Sequence, residues 1–86
     1  MKEIMIEIQK SLLLIIKDIA RYPNDIQLDF KITDIVTNSV DFVKIFIEVE
    51  DQFQLDFAID EIKPDNYITI GNLVDLILTK IKEKTR

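Results

Sequence analysis

Apolar residues recur at intervals of three and four along most of this chain, and the recurrence marks out three helical stretches separated by two connections. Ile4, Ile8, Leu12, Ile15, Ile16 and Ile19 share one helical face, which predicts a first helix from about Glu3 to Ala20, stopped by Pro23. Leu13 and Leu14 widen that face, so this helix is expected to be buried on more than one side. Phe42, Ile45, Phe46, Val49 and Phe53 form the core-facing row of a second helix, from Ser39 to Gln52 or Phe53. Ile70, Leu73, Val74, Ile77, Leu78 and Ile81 form the row of the last one, with Thr69 as its N-cap. Lys80, Lys82 and Lys84 fall near its C-terminal end, where the helix macrodipole favours cations.

The connections read differently. Tyr22 to Thr37 sustains no period and opens on Pro23-Asn24-Asp25, which is turn chemistry, so a long loop is expected with Ile26, Leu28, Phe30 and Ile32 tucked inward. Its alternation would also suit a short strand, but no second strand is evident to pair with it. Leu55 to Ile59 alternates in the same way and is equally isolated. Pro64-Asp65-Asn66-Tyr67 fits a single helical turn with Pro64 at its first position, where a missing N–H costs little. The expected fold is therefore all-α: a four-helix bundle with a short third helix and a long loop between helices one and two, formed by residues 1–86 as one domain.

Composition narrows the function classes. Eighty-six residues support one modest core and no cleft between lobes. The chain has no cysteine and no histidine, which removes disulfides, thiolate metal sites and the commonest general base. A formal charge of −5 disfavours nucleic acid, whose phosphates are bound by clustered Lys and Arg, and suits a basic partner. The run Leu12 to Ile16 is too short to span a membrane, is preceded by Glu3, Glu7 and Lys10 and ends at Lys17-Asp18, so no membrane role and no export signal are expected. That fits a reducing cytoplasm and a monomer. Asp56, Asp60, Glu61 and Asp65 lack the glycine and the oxygen spacing of a calcium loop.

The second helix carries more than its core row. Val40, Val43 and Ile47 form another apolar stripe, flanked by Asp41, Glu48, Glu50 and Asp51 and interrupted by the positive charge of Lys44. An apolar ridge among acidic residues is a docking surface for a partner, unless the long loop covers it. At the head of the helix, Asn38 is placed to cap the free N–H groups, leaving Ser39 pointing outward; the plain alternative is that Ser39 is itself the cap.

The segment from Asp34 to Val43, with Asn38-Ser39-Val40 at its centre, resembles the Asp-Leu-Gly-x-Asp-Ser-Leu signature of acyl and peptidyl carrier proteins. Thr69-Ile70-Gly71-Asn72-Leu73-Val74-Asp75-Leu76-Ile77 resembles that family's closing motif, and Gln54-Leu55-Asp56-Phe57 its exit from the recognition helix, where glycine is usual in place of Gln54. The likeness spans about Phe30 to Ile81. It implies that Ser39 accepts a 4′-phosphopantetheine arm from coenzyme A, whose thiol carries acyl or aminoacyl cargo as a thioester. It implies also that Val40, Val43, Ile47, Glu50 and Asp51 meet the partners, with Asp41, Lys44 and Glu48 expected beside them on the same face: a phosphopantetheinyl transferase, a loading enzyme and a downstream transferase or synthase. Catalysis would belong to those partners and not to this chain.

Three residues depart from the pattern. Asn38 stands for the customary aspartate, Val36 for a common glycine, and Lys44 where acidic residues are usual. Asn38 and Lys44 point to a specialised polyketide or nonribosomal-peptide-type pathway, and the absence of a flanking domain or long linker suggests a free-standing carrier. The competing functions are an adaptor that binds protein through Val40, Val43 and Ile47 with Ser39 unmodified, and a small hydrolase with Ser39 as nucleophile. The second lacks a base, since there is no histidine and the nearest lysine in sequence, Lys44, lies beyond the following turn.

Overall fold

The predicted helical rows turn into the core, except that Ile4 at the head of the first row is 38% exposed. In a computed structural model that describes residues 2–84, α1 spans Lys2–Ala20, α2 Ile32–Ile35, α3 Ser39–Phe53 and α4 Ile70–Lys84, and the described residues contain no strand. α1 packs against both α3 and α4. Ile8, Leu12 and Ile16 of α1 are fully buried, against Phe42, Ile45, Phe46 and Val49 of α3 and Leu73, Val74 and Ile77 of α4. Burying each such side chain contributes about 1.5–3 kcal/mol. The architecture is the all-α bundle that the periodicity predicts.

The connections hold the differences. The short third helix takes the form of two 3-10 turns, Ile59–Glu61 and Pro64–Asn66, with Pro64 opening the second. The long loop contains one further turn of helix, α2, which four residues are too few to announce by periodicity. Ile26 and Ile32 are buried and Leu28 and Phe30 half-buried, as the loop's inward alternation suggests. That alternation does find a partner: Lys31 forms an isolated bridge with Thr69.

This loop also satisfies the head of α4. The Ile70 N–H donates to the Phe30 carbonyl at 3.1 Å, and the Gly71 N–H to the Leu28 carbonyl at 2.9 Å. The Ile32 N–H returns a bond to the Ile68 carbonyl at 3.0 Å. First-turn amides have no partner within their own helix, so the loop supplies what the helix cannot. Thr69 caps as expected, its hydroxyl accepting from the Asn72 N–H at 3.4 Å while the Asn72 side-chain oxygen accepts from the Ile68 and Thr69 N–H groups.

α1 ends three residues short of Pro23. Arg21 adopts φ 54°, and the Tyr22 N–H reaches back to the Lys17 carbonyl at 3.2 Å. α3 ends the same way at Gln54, φ 56°, with the Leu55 N–H on the Glu50 carbonyl at 3.0 Å. Glycine adopts this left-handed conformation without strain, which is the physical reason it suits the position of Gln54. A second packing expectation fails beside that for Ile4. Leu13 is half-buried but Leu14 is 69% exposed, so α1 is not enclosed on a second side there.

The segment between α3 and α4 is tied by Glu61. Its carboxylate accepts from the Lys80 ammonium and from the Ala58 N–H, both at 2.8 Å, and its carbonyl accepts from the Tyr67 hydroxyl at 2.6 Å. The Lys80 bond is the main cause holding the Glu61 carboxyl below its ordinary value of 4.5, and it raises Lys80 in return. A depressed carboxyl stabilises the fold above its unfolded pKa, and the contribution disappears as pH falls through the folded one. Denaturant melts should therefore show Glu61→Gln costing about 0.5–1 kcal/mol at pH 7, the pair being partly solvated. Below pH 4.5 the gap between variant and parent should close; a gap independent of pH would count against the pairing.

Candidate functional site

The head of α3 separates capping from exposure. Asn38, in extended backbone, is the N-cap: its side-chain oxygen accepts from the Asp41 N–H at 2.8 Å. Ser39 is thus the first helical residue and not the cap. It is exposed, and its hydroxyl makes no hydrogen bond among the described residues. The positive end of the α3 dipole lies there, an environment that favours negative charge.

Asn38 has a second bond, from its amide nitrogen to the Asp41 carboxylate at 3.1 Å. An aspartate at 38 would present a carboxylate to that carboxylate instead of a donor. Asparagine at 38 is thus matched to Asp41, which accepts from it. Asn38→Ala should cost about 1 kcal/mol in a denaturant melt, the ordinary loss of a cap. Asn38→Asp keeps a capping oxygen but adds repulsion, so it should lose less than alanine and should recover when combined with Asp41→Asn; no recovery would mean that the amide contact is immaterial.

Val36 is buried with φ −102°. Any side chain adopts that backbone, and this one is turned into the core. Beside Ser39 lies an open depression of about 270 Å³, walled by Thr33, Val36, Thr37, Phe42 and, from a distant part of the chain, Pro64. Sequence reasoning missed Thr33 and Pro64 as neighbours of the serine, because only the docking of the 3-10 segment brings Pro64 there.

The second stripe of α3 faces solvent: Val40 is 62%, Val43 41% and Ile47 54% exposed. The long loop does not cover it. Lys44, Glu48 and Asp51 are exposed along the same helix and Asp41 is half-exposed. Glu50 is differently placed. It is half-buried, with its carboxylate accepting from the Phe57 N–H at 2.9 Å, so it anchors the chain after α3. Glu50 also lines, with Ile47, Asp51 and Asp56, an open groove at the C-terminal end of the stripe.

Among the described residues no group of three acidic side chains converges as a metal site, and no helix is long and apolar enough to cross a membrane. Comparison with protein-family models, with curated proteins and with solved structures finds no match to this chain.

Proposed function

We propose that this chain is a carrier protein that holds acyl or aminoacyl intermediates as thioesters on a 4′-phosphopantetheine arm joined to Ser39. One observation carries the reading. The serine of a carrier-like sequence motif is the exposed first residue of a long helix, with the capping work done by its neighbour Asn38. The arm supplies the thiol that a cysteine-free chain lacks. Its phosphodiester would gain from the N-terminal field of α3, and the depression that Ser39 shares with Thr33, Thr37 and Pro64 would receive the start of the arm.

Val40, Val43 and Ile47 offer partner enzymes an apolar contact, with Asp41, Glu48 and Asp51 as a rim for basic residues. Partners that must be exchanged in turn call for a small, weak interface. Lys44 and Asn38 favour a specialised pathway of polyketide or nonribosomal-peptide type, in the cytoplasm where such enzymes and coenzyme A meet. A pathway loading enzyme should then charge the protein well and a fatty-acid malonyl transferase poorly; equal charging would remove the specialised assignment.

The exposed stripe favours a second reading as well. A helical adaptor would use Val40, Val43 and Ile47 in the same way and leave Ser39 bare. Intact mass after incubation with coenzyme A and a broad-specificity phosphopantetheinyl transferase separates the two. A gain of one arm supports the carrier. No gain, with a transferase from the source organism tried as well, leaves the adaptor.

A further inference from the structure

The bundle leaves an apolar groove whose floor the carrier reading does not use. It runs between α1 and α3, has a volume of about 430 Å³, and is lined by Leu14, Ile15, Asp18, Ile19 and Glu48. Leu14 is among the most exposed large apolar side chains of the chain, although it belongs to the helix with the most continuous apolar run. Solvating Leu14 forgoes part of the ~1.5–3 kcal/mol that burial of such a side chain contributes, and nothing within the fold recovers it.

The charges at this groove are unbalanced. Asp18 stands on the α1 wall and Glu48 on the α3 wall, and neither forms an ion pair or a side-chain hydrogen bond among the described residues. Lys17, adjacent to Asp18, is turned to Asp25 at 3.6 Å. Lys44, one turn before Glu48, is exposed and lies outside the groove lining. An apolar floor between two unpaired carboxylates matches a helix with aliphatic residues on one face and lysine or arginine on both flanks. Two packed helices also present ridges between which a third helix can lie.

We propose that the α1–α3 groove is a second docking surface, whose occupant is a cationic amphipathic helix of a partner protein. The site lies apart from Ser39 and from the Val40, Val43 and Ile47 stripe, sharing only Glu48 with the rim of that stripe, and it stands whether or not Ser39 is modified. A partner held there would leave the serine end of α3 open to another enzyme.

Backbone-amide shift mapping with a synthetic amphipathic helix of leucine and lysine tests this on the full, unmodified chain. Shifts should cluster at residues 14–19 and 48, and a matched peptide with glutamate for lysine should give none. Leu14→Gln should weaken the interaction about tenfold, as should Asp18→Asn combined with Glu48→Gln. The second variant keeps every apolar contact, so the test survives if Leu14→Gln fails to fold; unchanged α4 amide positions report folding. Shifts centred on Val40, Val43 and Ile47 or on Asp51 and Asp56, equal binding of the glutamate peptide, or no shifts at all would each overturn the proposal.

Discussion

Ser39→Ala protein should stay at its unmodified mass in the transferase reaction that adds one arm to the parent, and it should melt at the same denaturant concentration or a slightly higher one. The two halves of this result test different things. The mass tests the attachment site. The melt tests the helix geometry: Asn38 is the cap and the Ser39 hydroxyl has no partner, so its removal costs no hydrogen bond. Alanine is the better helix former, by up to about 0.5 kcal/mol. Were Ser39 itself the cap, the same substitution would lose about 1 kcal/mol. A stable variant that no longer gains mass is the outcome a tether point requires. A destabilised variant that still gains mass would refute both the capping assignment and the attachment site.

Phe46→Ala should be the most damaging single change outside the site, costing about 3–5 kcal/mol. A domain of this size commonly has about 5–15 kcal/mol in total, so the variant would be partly unfolded at 37 °C. Phe46 is buried where three elements meet. Its ring lies 5.0 Å from Phe42 in α3, 5.0 Å and edge-on from Phe57 in the following segment, and 6.0 Å from Tyr67 before α4. Neighbouring Leu12, Val49 and Ile77 are already packed so closely that the crevice among them has room for about one water molecule, which limits collapse into the hole. Urea melts measure the loss. A cost under about 1 kcal/mol would mean that the aromatic cluster is not a fixed contact.

These two substitutions also mark what could be read from the sequence. Phe46 was legible because a residue inside a long amphipathic helix repeats its neighbours' spacing, and burial of one member of a row implies burial of the rest. Asn38 as cap and Ser39 as outward residue were legible from local capping chemistry. The exposure of Val40, Val43 and Ile47 needed one fact that sequence lacks, namely where the long loop lies. Leu14 failed for the same kind of reason. Its row is apolar, but whether a second face of α1 meets protein or water depends on where α3 stops covering it. Glu50 is legible as charged, while its bond to the Phe57 N–H depends on how the chain turns through the left-handed Gln54.

The bonds from Leu28 and Phe30 to the first turn of α4 have a topological consequence. They join segments about 40 residues apart, so a large loop must close, at an entropic cost, before α4 is fully satisfied. A helix of 15 residues is marginal alone in water. α4 therefore depends on burying Leu73, Val74 and Ile77 against the bundle and on first-turn bonds from the distant segment that leads into Ser39. The segment that shapes the serine's surroundings is thereby also the one that completes the first turn of the C-terminal helix, although the two lie far apart along the chain.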